Sequence, residues 1–160
     1  MLDCENSSVY FMELALKEAR KSLKTGDVPI GAVIVRENKV IGKGHNQVEM
    51  RSNSIKHAEM IAIESALKNN SYKHLLDCEI YVTLEPCSMC AGAIILARIP
   101  KLIFAALDTK SGACGSTINI VHNEKFNHRC EVNSGILAED SANLIKLFFQ
   151  ELREKKKIAN

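Results

Sequence analysis

The chain has 160 residues, a length typical of one domain, and 46% of them are hydrophobic, which is enough to fill a core. Its formal net charge is only +2, which excludes a strongly basic surface over the whole protein. Any affinity for nucleic acid must therefore come from local patches of charge.

The start of the chain and its cysteines bear on the cellular compartment. The first residues show no basic stretch followed by an apolar one, so no signal peptide is expected. The longest apolar run, residues 91–97, is far shorter than the roughly 20 residues of a membrane span. The sequence thus predicts a cytoplasmic protein without a membrane segment, where paired cysteines are typical of metal or catalytic sites.

Apolar residues at helical spacing predict several helices. Asn6, Ser7 and Ser8 offer N-cap oxygens before the first helix, so residues 1–8 are expected to be a flexible N-terminus. The Asn-Ser pair at 53–54 is expected to cap the second helix. The predicted helices cover the segment up to Gly26 and residues 57–68, 88–98 and 138–157, the last with a basic end.

Apolar and β-branched runs predict five strands, at residues 30–35, 40–44, 80–84, 102–107 and 130–133. The first run is continuous, which is typical of a strand buried on both faces, and the turn at 37–39 predicts a hairpin into the second. Helices alternate with the remaining strands. This order indicates one α/β domain over residues 1–160, with a mostly parallel sheet after the opening hairpin.

Three side chains have the character and spacing of a metal site. His57 lies two residues before Glu59, and Cys87 and Cys90 follow Pro86 in a Cys-x-x-Cys arrangement. At a helix start that spacing puts both sulfur atoms on one face, where backbone N–H groups favour thiolates. His57 is also expected at a helix start, so two helix N-termini would meet at the metal. Because Zn²⁺ binds imidazole and thiolate readily, we predict one Zn²⁺ held by His57, Cys87 and Cys90, with its fourth position open to water.

Glu59 is not needed as a ligand and indicates the chemistry. Zinc lowers the pKa of bound water toward about 7. Glu59 would take that proton, pass it to a ring nitrogen and help ammonia leave. The His-x-Glu…Pro-Cys-x-x-Cys order is the signature described for zinc nucleobase deaminases. A redox Cys-x-x-Cys would leave the His-Ala-Glu segment unexplained. A structural zinc would need a fourth protein ligand, and none of the spare cysteines has motif spacing: Cys4, Cys78, Cys114 and Cys130.

Beyond the metal motif, most of the chain resembles the bacterial tRNA-specific adenosine deaminases, which convert the wobble adenosine of an anticodon to inosine. The matching segments are residues 27–33, 44–46, 57–59, 81–93, 127–129 and 148–149. The zinc motif alone marks the wider cytidine deaminase-like superfamily. The resemblance implies an α/β fold, a three-layer αβα sandwich with a five-stranded mixed sheet. It also implies a homodimer with one Zn²⁺ per subunit and a tRNA anticodon arm, expected to be that of tRNA arginine, as partner.

The same resemblance implies roles for residues outside the metal site. Asn46 would hydrogen-bond the target base, Val28 would line the pocket, and a main-chain group at Ala58 would help to read the base. The backbone around Leu84 and Glu85 would shape the oxyanion side. The residues expected to meet the RNA are Asp108, Lys110, Phe149 and Arg153, with Asp108 accepting a hydrogen bond from a ribose 2′-hydroxyl.

Two other functions remain open at this point. A deaminase of a free base or nucleoside, such as guanine or cytosine, would share the zinc and Glu59 but would not need Lys110, Arg153 or an open pocket mouth. A non-enzymatic RNA-binding protein on the same fold would have no chemical use for Glu59. His122 and His128 fit either a loop contact to RNA or a packing role.

Overall fold

Five strands form one mixed sheet in the computed structural model, which describes residues 4–159. The strands are β1 (Gly31–Arg36), β2 (Lys39–His45), β3 (Cys78–Leu84), β4 (Lys101–Ala106) and β5 (Glu131–Ser134). Their order across the sheet is β2-β1-β3-β4-β5. β1 is antiparallel to β2 and β3, whereas β3, β4 and β5 run parallel. The hairpin and the mostly parallel sheet that follows it are as the sequence predicts.

The turn between β1 and β2 is a two-residue hairpin loop. Glu37 and Asn38 both have positive φ, 49° and 59°, as a type I′ turn requires. Asparagine tolerates this left-handed conformation better than most residues. The pairing register shifts once, between Ile34 and Val35.

Helices cover both faces of the sheet. They are α1 (Cys4–Ser22), α2 (Val48–Arg51), α3 (Ala58–Asn70), α4 (Ser88–Leu96) and α5 (Ala138–Ile158). Ile34 and Ile80 are buried beneath α3 and α4 on one face, while Val33 and Tyr81 are buried beneath α1 and the start of α5 on the other. This alternation along each strand produces the three αβα layers that the sequence predicts. No helix within residues 4–159 is both long enough and apolar enough to cross a membrane.

Two glycines bring α3 unusually close to β2. A Cβ atom added to Gly44 would lie 2.2 Å from the carbonyl oxygen of Ala58, and one added to Gly42 would lie 2.5 Å from that of Ala62. Only glycine at these two positions lets the helix backbone rest directly on the strand. The contact sets the start of α3, and thus His57, beside the end of β2, where Asn46 follows.

The N-terminal prediction is wrong in part. Residues 1–3 of the expected flexible N-terminus lie outside the described residues, but α1 already begins at Cys4 and includes Asn6, Ser7 and Ser8. These residues were expected to cap the helix. Their helix propensity is only modestly low, so a helix can extend through them when its apolar face packs on a sheet.

The segment between β2 and α3 also differs from the prediction. His57, not the Asn-Ser pair at 53–54, is the N-cap of α3, and the Asn53 side chain instead accepts a hydrogen bond from the N–H of Ile55 at 3.1 Å. The short helix α2 was not predicted. In the first turn of α2, the N–H groups of Glu49 and Met50 donate hydrogen bonds to the buried carboxylate of Asp27. This partner is distant in sequence, so no local pattern indicates it.

Candidate active site

The three predicted ligands meet at the starts of two helices. His57 is the N-cap of α3 and Cys87 the N-cap of α4, with Cys90 in the first turn of α4. The Nδ1 atom of His57 lies 3.6 Å from the Sγ atom of Cys87 and 3.6 Å from that of Cys90. All three ligand atoms lie within 4.8 Å of one another. The two helix N-termini therefore converge as the sequence predicts.

These distances fit a zinc ion. Zinc lies about 2.0–2.1 Å from an imidazole nitrogen and about 2.3 Å from a thiolate sulfur, and a tetrahedral angle between them separates the two ligand atoms by about 3.6 Å. The nitrogen–sulfur distances of 3.6 Å match that value. Among the described residues no fourth His, Cys, Asp or Glu joins the cluster. Three ligands leave one tetrahedral position for water, as in a catalytic site.

The ligand side chains influence one another's ionisation. The hydrogen bond with Cys90, assisted by His57, lowers the pKa of Cys87 against the opposing effect of burial. The same hydrogen bond, together with burial, raises the pKa of Cys90. The hydrogen bond with Cys87 raises the pKa of His57. The cluster thus favours a thiolate at Cys87, the form of cysteine that binds metals.

The spare cysteines that the structure describes are buried away from this cluster. Burial raises the pKa of Cys78 and of Cys130 to about 11, and it also raises the pKa of Cys114. The Cys130 thiol donates a hydrogen bond to the carbonyl oxygen of Ile99 at 2.9 Å. Buried thiols of this kind behave as small apolar residues.

Glu59 lies in the first turn of α3 with its side chain turned inward. The residue is only 4% exposed, and its carboxylate contacts the Cys90 thiol. Burial raises the pKa of Glu59 to about 7, against the opposing effects of its own backbone N–H and of His57. A carboxyl group with that pKa gains and loses protons near neutral pH.

A cavity of about 440 Å³ contains most of the side chains expected to contact substrate. It is lined by Val28, Leu84, Leu107, Asp108, Thr109, Lys110, Ser111, Ile145 and Phe149. The structure therefore brings together five residues that the sequence analysis singled out: Val28, Leu84, Asp108, Lys110 and Phe149. Arg153 is exposed one helical turn beyond Phe149 and does not line the cavity.

Asn46 bonds to Val28, a residue of the cavity wall, and has an acceptor atom without a partner among the described residues. Its Nδ2 atom donates to the carbonyl oxygen of Val28 at 3.2 Å, and its backbone N–H donates to that of Ile30 at 3.0 Å. The Oδ1 atom is buried without a partner among the described residues. An unsatisfied acceptor at this depth is costly, which is typical of an atom that a ligand completes. Ala58 opens α3, so its backbone N–H has no partner within the helix.

The side chain of Glu85 faces away from the cavity, and the role expected of its backbone stays a prediction. Its side chain is 2% exposed and does not line the cavity; it points behind the wall, into the loop that follows β4. Burial raises the pKa of this carboxyl, but hydrogen bonds from Ser116, Asp108 and Cys114 outweigh that effect and lower it. The side chain is therefore an ionised group enclosed by loop backbone.

Sequence reasoning missed residues of the cavity and of the loop behind it. Ile145 lies one helical turn before Phe149, so the spacing of four could have placed it on the same face. Gly112 and Ser116 had no local signal, since their roles depend on contact with Glu85. The Nε2 atom of His128 lies 2.7 Å from the carbonyl oxygen of Ile99, a contact that fits the packing role.

This fold and ligand cluster define a class. A three-layer sandwich in which a His, two Cys and a buried Glu meet at helix starts is the arrangement of the zinc nucleobase deaminases. A family model described as MafB19-like deaminase matches residues 5–153, nearly the whole chain. The protein is a deaminase enzyme.

Comparison with individual proteins narrows that class. A tRNA-specific adenosine deaminase of Streptococcus pyogenes serotype M3 is 49% identical over 150 residues, covering 94% of this chain and 88% of that protein. One of Bacillus subtilis strain 168 is 46% identical over 149 residues, covering 93% and 92%. A solved structure from work on A-to-I editing by tRNA deaminases at the wobble position has a TM-score of 0.81 at 39% identity, covering 84% of this chain and 98% of that one. The chain belongs to the tRNA-specific adenosine deaminase family.

Proposed function

We propose that this protein hydrolyses the exocyclic amine of the wobble adenosine in a tRNA anticodon loop, forming inosine and releasing ammonia. The observation that carries the proposal is the meeting of His57, Cys87 and Cys90 at two helix starts, with the buried Glu59 carboxylate in contact with Cys90. The names of the similar proteins support tRNA adenosine as the substrate.

His57, Cys87 and Cys90 would hold one Zn²⁺ per subunit, since the distances between their ligand atoms suit that ion. When bound, the ion supplies Lewis acidity that makes water a nucleophile at neutral pH. Glu59 is the group within the described site that moves protons. Its buried carboxyl would take a proton from water and deliver it to a ring nitrogen of the base. It would then take the proton of the newly added hydroxyl group and deliver it to the departing amine, so that inosine and ammonia are formed.

Asn46, Val28 and Ala58 would hold the base. The unpartnered Oδ1 atom of Asn46 accepts an N–H group, and the Val28 side chain packs on the ring. The N–H of Ala58 is a donor at the start of α3. Leu84 completes the apolar wall. To reach these groups the target base must leave its stack, which is easiest in a single-stranded loop.

The neighbouring nucleotides would meet the outer wall of the cavity. The ring of Phe149 would stack on a base, and the positive charges of Lys110 and Arg153 would contact phosphates. Asp108 would accept a hydrogen bond from a ribose 2′-hydroxyl. One Asp108 oxygen is already engaged, because Oδ1 accepts bonds from the N–H groups of Lys110 and Ser111 at 3.0 and 3.1 Å. The other oxygen remains for the ribose.

We further propose that the active form is a homodimer in the cytoplasm. The thiolate ligands require a reducing compartment. On α4 and the loop before β5, the exposed side chains of Leu96 and Phe126 line a surface cavity of about 290 Å³ that a second copy would cover. Sedimentation velocity tests this assignment: Leu96→Asp is expected to yield monomers, and an unchanged dimer would exclude that face.

The substrate is tested with an anticodon stem-loop of tRNA arginine. Purified protein is expected to convert the wobble adenosine to inosine, read as guanosine on sequencing, while Glu59→Ala is expected to bind zinc without turnover. Release of ammonia from free guanine or cytosine, with no change in the stem-loop, would instead support the free-base deaminase.

A further inference from the structure

Glu85 occupies a central place between the metal ligands and the cavity wall. It follows Leu84, which ends β3 and lines the cavity, and it precedes Cys87 by two residues. Its side chain is nonetheless 2% exposed and reaches neither the cavity nor the metal ligands. A charged group buried at that position needs a structural explanation.

The carboxylate is surrounded by the loop of residues 107–116, here called the substrate loop. Oε2 accepts a hydrogen bond from the N–H of Asp108 at 3.0 Å, and Oε1 accepts bonds from the N–H groups of Cys114 and Ser116 at 3.1 and 2.9 Å. The Ser116 hydroxyl also donates to Oε2. One side chain thus joins both ends of the loop.

The middle of the loop packs directly on the same side chain. A Cβ atom added to Gly112 would lie 2.4 Å from Cδ of Glu85 and 2.5 Å from its Oε2 atom. The N–H of Ala113 donates to the carbonyl oxygen of Pro86 at 2.9 Å, so the loop is also tied to the chain just before Cys87. No space remains for the loop to shift toward Glu85.

The charge of Glu85 is met by N–H and O–H groups alone. Among residues 4–159 no ion pair joins it to a lysine, arginine or histidine. A carboxylate can accept all four bonds because it has acceptor sites only, whereas an amide of the same shape has one oxygen and two N–H donors. Replacing the carboxylate with an amide would set donor against donor at one of these contacts at least, since the NH2 group would face the N–H of Asp108 or those of Cys114 and Ser116.

The outer side of this loop forms the cavity. Asp108, Thr109, Lys110 and Ser111 all line it, between the two points at which Glu85 holds the chain. A residue that holds the loop from behind therefore decides where these groups meet a substrate in front. A displacement of about 1 Å can lower catalytic efficiency by about 100-fold.

We propose that Glu85 is a positioning residue for the substrate, which sets the substrate loop by binding its backbone and does not itself touch the RNA. The proposal rests on the proposed function in one respect, since it assigns the loop to substrate binding. The competing explanation is that Glu85 matters only for the metal, through its proximity to Cys87. The two differ in which kinetic constant changes and in whether zinc is retained.

The test compares Glu85→Gln with the wild type in the zinc-loaded enzyme. Backbone amide exchange is expected to accelerate at Asp108, Cys114 and Ser116, while exchange in β1 stays unchanged. KM for the anticodon stem-loop is expected to rise about tenfold or more, with kcat within about threefold and zinc content unchanged. Glu13→Gln, an exposed glutamate on α1, is the matched control and should behave as the wild type.

Ser116→Ala provides a milder second variant. It removes the hydroxyl donor and keeps the backbone bond, so KM should rise in the same direction by a smaller factor. Unchanged amide exchange in both variants would overturn the proposal, as would faster exchange with an unchanged KM. Loss of zinc and kcat at constant KM would favour the metal explanation. A wild-type enzyme that fails to act on the stem-loop would contradict the proposed function alone, because the exchange result does not depend on activity.

Discussion

The side chain of Asn46 is fixed by the main chain of Val28, through a hydrogen bond of 3.2 Å from Nδ2 to the Val28 carbonyl oxygen. This bond assigns the amide donor and leaves Oδ1 buried without a partner among the described residues. No described residue of the protein therefore satisfies this acceptor. The cost of folding around it is about 1–3 kcal/mol.

Asn46→Ala separates binding from stability. The substitution removes one unsatisfied acceptor and one satisfied donor, so we expect the melting temperature to change little. Loss of the contact to the base should lower kcat/KM for the stem-loop by about 10–100-fold. Asn69→Ala, whose side chain bonds Ser65 on the exposed side of α3, is the control. A large loss of stability with full activity would contradict the role of Asn46 in base recognition.

Glu59→Gln tests the proton carrier. The amide keeps the shape of the side chain and cannot accept a proton, so turnover should fall by about 100- to 10,000-fold while zinc content is retained. Inosine formation and bound zinc are measured on the same preparation. Glu64→Gln changes an exposed glutamate of the same helix, which pairs with Lys56, and should leave turnover intact. Substantial turnover in Glu59→Gln would show that another group carries the proton.

Cys87→Ser tests the metal centre. The variant should lose most of its zinc, and chelator should no longer lower its melting temperature as it does for the wild type, because a ligand of the folded state stabilises that state. Cys130→Ser is the matched control, since its hydroxyl can still donate to the Ile99 carbonyl oxygen. Retention of a full zinc complement by Cys87→Ser would remove this cysteine from the ligand set.

Gly44→Ala tests the close contact between β2 and α3. Because the new methyl group would meet the Ala58 carbonyl oxygen, we expect a loss of about 1–3 kcal/mol in the free energy of unfolding, measured with urea. Gly92→Ala, in α4 with open space around its Cβ position, should instead gain about 0.5–1 kcal/mol. If Gly92→Ala instead destabilises the protein, and does so more strongly at higher protein concentration, the added methyl group interferes with a second copy packed against α4.

Lys110→Ala and Arg153→Ala test the RNA-facing charges. Each should weaken binding of the stem-loop and reduce the slope of log affinity against log salt by about 0.7–1, as expected for one lost phosphate contact. Lys68→Ala, at the exposed far end of α3, should leave both affinity and slope unchanged. Equal slopes for Lys110→Ala and the wild type would place this lysine away from the phosphates.

The meeting of His57, Cys87 and Cys90 could be predicted from the sequence because the signals for it are local. Cys87 and Cys90 lie within one helical turn. The residue types alone, Pro86 among them, indicate that a helix starts there. His57 was placed at a helix start for the same reason, although the expected cap lay elsewhere. The types of the candidate ligand residues and their spacing were therefore enough to predict the cluster.

The supporting framework could not be derived in this way. Asp27 and Glu85 are both buried carboxylates that hold loop N–H groups distant in sequence, and neither belongs to a periodic pattern. The short helix α2 was missed because its first turn depends on Asp27. The sequence does not indicate the inward direction of the Glu85 side chain, because a side chain at a strand end can face either way until the loop that covers it is known.

The backbone bridge between Cys87 and Gly112 has a further consequence. It joins the segment of the predicted zinc ligands to the loop proposed to hold the RNA, so a shift of one segment would move the other. Coupling of this kind would be reciprocal: RNA would raise the affinity for the metal by the same factor by which the metal raises the affinity for RNA. In a cell short of zinc, the molecules engaged with tRNA would be the last to lose it.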